Sequence, residues 1–445
     1  MTNSYTPHTE NDIREMLAVV GVKEIEALFD HIPPELRAKS FNLDEALSEF
    51  EMLKKLNQLS SNPGAQTVQF MGGGFYDHFI PATVDALVSR GDFYTAYTPY
   101  QPEASQGTLQ ALYEYQSCVS NLFGMDVSNA SLYDGGTALA EAVLMAFRAV
   151  KNRNTVVIDA SVNPLYRSIV SSYLAPLGYK IVEIEPKDYM LDREKLKKAL
   201  DRDVCSVVLQ NPNFFGAADD FTDIAELVHS AGALLVLSVY PLSLGMLKSP
   251  GEMNADIAAG EGQSLGQPLS FGGPYLGIIT AKEQYIRTMP GRIVGRTADK
   301  DNRDAFVLTL QPREQHIRRE KATSNICSNQ GLCALRTLVY LSLMGKSGIK
   351  EVCSTIYAKT QYAKEQLSTL KSVIVSPYAS FNEFTIELPA DASELWNKAV
   401  EKGVSIGIPL GGFYPGKTKT LLVSITEKRS KAEIDLLVKT IREAL

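Results

Sequence analysis

The chain of 445 residues is poor in cysteine, histidine and tryptophan, with five, five and one of these residues. The cysteines are scattered and form no C-x-x-C pair, and no two histidines have the short spacing of a zinc motif. We therefore expect neither a disulfide framework nor a metal site. Scattered, unpaired cysteines are typical of a reducing compartment, so we expect a cytoplasmic protein.

Positive charge and long apolar runs are also scarce. Lys and Arg number 44 against 51 Asp and Glu, which gives a formal net charge of −7. A mildly acidic chain lacks the basic surface that binds nucleic acid or an anionic membrane. No apolar run reaches the roughly 18 residues of a membrane helix, and the first residues do not have the pattern of a secretory signal. We expect partners of neither kind.

The order of the predicted elements divides the chain into three parts. Residues 1–65 form a helical extension that includes a helix over 44–59. Strands and helices alternate over residues 66–330, which predicts a large, doubly wound α/β domain. The near-continuous apolar run at 233–239 is typical of a strand covered on both faces by helices. Residues 331–445 are predicted to form a linking helix and a smaller C-terminal α+β domain.

One predicted helix starts with a candidate phosphate-binding segment. The segment consists of Asp134, Gly135, Gly136 and Thr137. Two glycines allow close approach of the backbone, and a helix start offers free N–H groups to an anion. An ordinary capped helix start, with Asp134 bonded to the first-turn amides, explains the pattern equally well.

A stiff, aromatic segment covers residues 95–107. Prolines restrict its backbone, and its tyrosines supply large contact areas at low entropy cost. We interpret it as a binding surface, although two hydrogen-bonded tyrosines in a surface loop would give the same pattern. The candidate residues are Tyr97, Tyr100, Gln101, Glu103 and Gln106.

A basic run at 311–326 is followed by small polar residues. Cationic side chains beside hydroxyl and amide groups can bind a carboxylate or a phosphate. A solvated helix face with local ion pairs is the commoner meaning of such a run. The residues concerned are Arg313, His316, Arg318, Arg319 and Lys321, then Thr323, Ser324 and Asn325.

Two short patterns match known motifs by letter only. Residues 411–418, GGFYPGKT, have the spacing of a phosphate-binding loop, but a strand is predicted to follow where that loop needs a helix. Residues 262–266 match G-x-S-x-G, but proline and a Gly-rich loop follow where a nucleophile elbow needs a helix. We therefore expect neither an NTPase nor a serine hydrolase.

A specific resemblance to one family is carried by four longer stretches: TAYTPYQPEASQGTLQALYEYQ, NASLYDGGTALAEA, GEGQSLGQPLSFGGPYLG and REQHIRREKATSNIC. They resemble the P proteins of the glycine cleavage system, and the match runs nearly end to end. That family belongs to fold type I of the pyridoxal-phosphate (PLP) enzymes, decarboxylates glycine on PLP and passes the aminomethyl group to the lipoyl arm of the H protein. The chain resembles the first of two related halves, which corresponds to the α subunit of two-subunit versions.

The resemblance implies two positions at which this chain departs from the catalytic half. Gln263 falls where that half has the lysine that forms an imine with PLP, and an amide cannot do so. Ser238 falls where a carboxylate should hold the pyridine nitrogen. We therefore expect these two residues, together with 134–137, to form a vestigial pocket. The chain is expected to have no covalently bound cofactor, with PLP in the partner β subunit.

The remaining motifs are then expected to act in trans, in an α2β2 complex that also binds the lipoylated H protein. The tyrosine-rich residues would line the entrance to the partner's site, and Thr323, Ser324 and Asn325 would reach the partner's PLP phosphate. Two alternatives stay open: a non-catalytic scaffold, and an autonomous PLP enzyme that uses Lys248 or Lys282.

Overall fold

The computed structural model describes residues 7–38, 40–61 and 67–445. The chain divides into two compact units, Met1–Ala65 and Gln66–Leu445. The first unit contains helices α1, Glu10–Val20, and α2, Glu49–Ser60. Helix α1 begins at a reciprocal capping box of Thr9 and Asp12 and ends at Gly21, whose φ of 87° suits glycine.

The second unit contains a series of strands and helices. The strands are β1 Val68–Gln69, β2 Val127–Ser128, β3 Thr155–Asp159, β4 Lys180–Ile184, β5 Val204–Asn211, β6 Leu234–Val239, β7 Ile257–Glu261, β8 Gly277–Ala281, β9 Ile293–Ala298, β10 Asp304–Thr309, β11 Ile374–Val375, β12 Glu383–Glu387, β13 Val404–Ser405, β14 Ile408–Pro409 and β15 Thr420–Ser424. The helices are α3 Ala82–Val88, α4 Gly91–Tyr94, α5 Gln106–Phe123, α6 Gly135–Ala149, α7 Pro164–Leu174, α8 Arg193–Ala199, α9 Thr222–Ser230, α10 Gln315–Arg318, α11 Gly331–Ser368, α12 Ala392–Glu401 and α13 Lys431–Ala444.

A seven-stranded sheet forms the centre of this unit, in the order β2-β8-β7-β6-β5-β3-β4. The strands from β7 to β4 are parallel to one another, whereas β8 is antiparallel to both of its neighbours. Every residue of β6 is buried, because apolar layers cover both faces of the sheet. The predicted doubly wound α/β fold is confirmed.

A second, four-stranded antiparallel sheet, β11-β12-β15-β14, lies in the C-terminal part with α12 and α13. Strand β1 pairs in parallel with β13, so the beginning of this unit is joined to its C-terminal part. Helix α11 is interrupted at Gly345, whose φ is 57°. The division of residues 66–445 at residue 330 stays a prediction.

Across the three described ranges, no helix combines the length and the apolar character that a bilayer crossing demands.

Candidate functional site

The start of helix α6 lies beside the carboxyl ends of the central strands. Asp134 is its N-cap: the Asp134 carboxylate accepts a hydrogen bond from the Thr137 N–H at 2.9 Å. In return, the Thr137 hydroxyl accepts one from the Asp134 N–H at 3.2 Å. The side chains of Asp134 and Thr137 thus cap the helix, as the simpler interpretation of this segment expected.

Glu261, at the end of β7, lies directly in front of α6. Its Oε2 accepts a hydrogen bond from the Gly135 N–H at 2.8 Å, and its Oε1 accepts from the N–H groups of Gln263 and Leu276 at 2.9 and 3.1 Å. Burial raises the pKa of Glu261 to about 8 despite these donors. The N–H that the sequence suggested for a phosphate is therefore bonded to a carboxyl group of the chain itself.

Gln263, at the expected lysine position, is 1% exposed. Its Oε1 accepts a hydrogen bond from the Tyr76 N–H, and its Nε2 donates to the backbone oxygens of Tyr76 and Gln267, all at 2.9 Å. Both hydrogens of the amide are used. Gln263 therefore fastens the segment around residue 76 to the loop that follows β7.

A small cavity of about 30 Å³ lies at the carboxyl end of β6, next to Ser238. Two buried glutamates, Glu261 and Glu383, line it together with Tyr76 and Asn382. Glu383 accepts hydrogen bonds from the Gly73 N–H at 2.6 Å and from the Tyr76 hydroxyl at 2.7 Å. Burial raises the pKa of Glu383 to about 7.

These residues do not fit PLP. Gln263 offers no amine for an imine, and Ser238 offers no carboxylate for the pyridine nitrogen. The cavity of about 30 Å³ has room for one or two water molecules, whereas sites for small organic ligands measure roughly 300–1,000 Å³. The predicted vestigial pocket is thus largely filled by side chains of the chain itself.

The tyrosine-rich segment lies on a different, exposed part of the unit. Tyr97 is 80% exposed, and its hydroxyl lies 2.7 Å from the hydroxyl of Ser328. Both residues line a cavity of about 210 Å³, together with Phe93 of α4, Leu112 of α5 and other residues of α5 and α11. Its lining combines apolar and polar side chains, which suits an amphipathic ligand or a side chain.

Tyr100 joins the tyrosine-rich segment to the basic run. Its hydroxyl accepts a hydrogen bond from Nη2 of Arg292 at 2.9 Å, and its ring lies 5.3 Å from the ring of His316. Arg292 is 2% exposed, and its Nε lies 3.7 Å from Oε2 of Glu314. Arg313 is turned inward to the backbone oxygens of Met289 and Gly291. Part of the basic run is therefore structural.

The other residues of the tyrosine-rich segment differ in their roles. The Gln106 amide donates to the backbone oxygen of Phe306 and accepts from its N–H, both at 2.9 Å, so Gln106 fastens the segment to β10. Gln101 and Glu103 are exposed.

The polar residues after the basic run lie along the loop that precedes α11. Ser324 donates to Glu141 of α6 at 2.8 Å, while Asn325 is exposed and Thr323 half-buried. Asn329 donates to the hydroxyl of Ser131 at 3.0 Å. The contact between Tyr97 and Ser328 joins the two segments that were expected to act in trans, and we call residues 97–103 and 323–329 together the tyrosine face.

The alternative lysines are engaged elsewhere. Lys248 donates to Asp220 at 3.0 Å, and Lys282 donates to Asp256 at 2.8 Å. Lys417 of the phosphate-loop pattern lies 4.0 Å from the centre of the Tyr189 ring, and strand β15 follows it. The structure therefore favours neither an autonomous PLP enzyme nor an NTPase.

Comparison with known proteins is consistent with this geometry. Residues 3–441 match the family model described as "Glycine cleavage system P-protein". A relative from Citrifermentans bemidjiense is 55% identical over 442 residues, covering 99% of both chains, and one from Geotalea uraniireducens is 56% identical over 443 residues, covering 99% of this chain and 100% of the relative. Both are named "probable glycine dehydrogenase (decarboxylating) subunit 1".

Two solved structures are also similar to this chain. A glycine decarboxylase (P-protein) of the glycine cleavage system, in inhibitor-bound form, is 41% identical with a TM-score of 0.88, covering all of both chains. Glutamate decarboxylase from Lactobacillus brevis, at 12% identity and a TM-score of 0.67 over 92% of this chain and 95% of the other, shares the fold alone.

The central sheet and its structural neighbours define an α/β protein of PLP-dependent transferase fold type I. Within that class, the chain belongs to the glycine cleavage system P-protein family.

Proposed function

We propose that this chain is the first, or α, subunit of glycine dehydrogenase (decarboxylating) and acts with a second, β, subunit in the glycine cleavage system. Its full-length relatives are named as subunit 1 of this enzyme, which implies a partner subunit. The observation that carries the proposal is Gln263, whose buried amide is fully used in bonds to Tyr76 and Gln267. A chain built in this way needs its partner for the chemistry.

The cofactor is accordingly assigned to the partner. PLP belongs to the β subunit, and the α subunit binds none covalently. The complex is α2β2 and works in the cytoplasm. It transfers the aminomethyl group of glycine to the lipoyl arm of the H protein. Five free cysteines, at 118, 205, 327, 333 and 353, support a reducing compartment.

The tyrosine face is the surface that contacts the active site of the partner β subunit. Tyr97 is exposed beside an amphipathic cavity, and Tyr100 is held in place by the buried Arg292. Gln101, Glu103 and Asn325 are exposed on the same face. Thr323, Ser324 and Asn325 are assigned to the partner's PLP phosphate, since hydroxyl and amide groups suit an anion.

The test is glycine decarboxylation by the co-expressed α and β subunits with lipoylated H protein. Alanine at Tyr97, Tyr100 or Asn325 is expected to lower the rate about tenfold or more, because groups that position a reactant contribute effects of this size. Tyr357→Ala, at an exposed tyrosine of α11, is the matched control. Unchanged rates in an intact complex would favour the scaffold alternative.

The autonomous alternative has its own test. The purified α subunit is mixed with PLP, and its visible absorbance is recorded before and after borohydride. We expect no reducible imine, because Lys248 and Lys282 are both paired with carboxylates. Glycine-dependent CO2 release by the α subunit alone would contradict the proposal.

A further inference from the structure

Three backbone N–H groups converge on one side chain at the carboxyl end of β7. They belong to Gly135, Gln263 and Leu276, and they lie 2.8, 2.9 and 3.1 Å from the carboxyl oxygens of Glu261. Gly135 is the first residue of α6, a helix of 15 residues. Converging N–H groups at a helix start form an anion-binding site, because the helix dipole adds to the hydrogen bonds.

Glu261 fills the space in front of this helix closely. A Cβ atom added to Gly135 would lie 2.8 Å from Cβ of Glu261 and 2.7 Å from the hydroxyl of Tyr166. The glycine is therefore required by the chain's own packing. Glu261 is itself 5% exposed, so its carboxyl group is enclosed within the unit.

We infer that Glu261 is the built-in occupant of an anion site, and that its carboxyl group holds the place that the phosphate of a ligand such as PLP would take at the start of α6. The pocket is thereby closed to phosphorylated ligands. This closure is independent of the missing lysine, since it involves a different residue and a different part of the ligand. It is also independent of the proposed role of the tyrosine face.

The consequence is that restoring an amine at position 263 is not sufficient for cofactor binding. A phosphate would have to displace a carboxyl group that already satisfies three N–H donors. It would also have to enter a cavity of about 30 Å³. Removing the side chain of Glu261, by contrast, leaves the three donors without an acceptor and opens the space in front of α6.

The first test uses inorganic phosphate and the full-length α subunit. The thermal midpoint of Glu261→Ala is expected to rise by about 2 °C or more between zero and 20 mM phosphate, because a ligand that binds the native state stabilises it. The midpoints of the wild-type chain and of Glu261→Gln, whose side chain fills the same space, are expected to stay unchanged. Sodium chloride at equal ionic strength controls for general salt effects. A phosphate response equal in all three proteins would overturn the inference.

A second variant keeps the inference testable if Glu261→Ala does not fold. Gln263→Lys places an amine at the expected position while Glu261 is retained. After mixing with PLP and treatment with borohydride, this variant is expected to carry no covalently bound pyridoxyl group at position 263, as judged by mass spectrometry of its peptides. Stoichiometric labelling of the introduced amine would show that Glu261 does not close the pocket. Neither measurement depends on glycine decarboxylation, so each can fail while the proposed function stands.

Discussion

Gln263 and Tyr76 are joined by a pair of hydrogen bonds, in which the Gln263 amide accepts from the Tyr76 N–H and donates to the Tyr76 backbone oxygen. The two residues lie 187 positions apart in the chain, and both are buried. The Gln263 amide thus makes the two backbone hydrogen bonds to Tyr76 that a residue of a neighbouring β-strand would make in a sheet. Gln263, which the resemblance places where the catalytic half has its lysine, is part of the framework of this chain.

This pairing predicts a large loss of stability for Gln263→Leu. The substitution leaves the N–H and the oxygen of Tyr76 buried without partners, so we expect the free energy of unfolding to fall by about 2–4 kcal/mol. Urea unfolding of the α subunit measures the change. Gln110→Leu, at an exposed position of α5, is the control and is expected to change it by less than about 0.5 kcal/mol. Equal effects of the two substitutions would contradict the structural role of Gln263.

The raised pKa of Glu383 predicts that the free energy of unfolding of the chain depends on pH. Burial raises its pKa from an ordinary value of 4.5 to about 7, so folding favours the protonated form. Its contribution is fully present below pH 4.5 and is lost as the pH rises through 7. Relative to the wild type, Glu383→Gln should therefore gain about 3 kcal/mol between pH 4.5 and pH 9.

Urea unfolding at several pH values measures this gain. Glu401→Gln, at an exposed position of α12, serves as the control and should follow the wild-type curve. Parallel stability curves for Glu383→Gln and the wild type would show that Glu383 titrates alike in the folded and unfolded chain.

Alanine substitutions at two glutamines of the tyrosine-rich segment should differ in their effects on stability and on the rate of the enzyme. Gln106→Ala removes both bonds to the backbone of Phe306 and should lower the free energy of unfolding by about 1–3 kcal/mol. Gln101→Ala, at an exposed position, should leave stability within about 0.5 kcal/mol and lower the rate of the assembled enzyme. Thermal unfolding and the decarboxylation assay separate the two outcomes. A rate loss for Gln101→Ala that tracks its stability would place it in the framework instead.

The ion pair between Arg292 and Glu314 predicts that substitutions at the two positions have strongly non-additive effects on the free energy of unfolding. Arg292→Met removes the donor to Tyr100 and the buried cation beside Glu314, whose other neighbour His316 is partly exposed, and this should cost about 3–5 kcal/mol. Adding Glu314→Gln should restore part of that loss, because the buried carboxylate that has lost Arg292 is then replaced by a neutral amide. A double-mutant cycle in urea measures the coupling. Additive losses from the two substitutions would mean that the pair does not interact.

The two lysines of the autonomous alternative can be tested by replacing each with alanine and measuring the PLP content of the complex. Lys248→Ala and Lys282→Ala each break an ion pair with a carboxylate, and the partly exposed Lys248 pair should cost less than about 1 kcal/mol. Neither substitution should change the PLP content of the α–β complex, measured by absorbance after release of the cofactor. Loss of bound PLP in either variant would reopen that alternative.

The sequence predicted the parts of the fold that depend on local pattern. The apolar run at 233–239 is strand β6, Leu234–Val239. The helix expected over 44–59 is wrong at its start, because Ser48 and Glu51 form the capping box that begins α2. Hydrophobic spacing alone does not identify the residue at which a helix begins.

The site was predicted less completely, because its contacts join distant parts of the chain. Resemblance to the family located Gln263 and Ser238, but the bond from Gly135 to Glu261 spans 126 residues and that from Gly73 to Glu383 spans 310. Arg292 was missed for the same reason, since Tyr100 lies 192 positions away. No local pattern signals such pairs. An acidic residue at the end of an apolar strand, as at Glu261, was an available clue.

The pairing of β1 with β13 affects how the molecule is made. Val68 pairs with Val404, which lies in the C-terminal part of the chain. A chain growing on the ribosome must therefore carry its first strand unpaired until nearly the whole protein has been synthesised, and Phe70, fully buried in the finished molecule, stays uncovered during that time. A polypeptide that stops short of residue 404 would retain this exposed edge, which makes premature termination a route to aggregation.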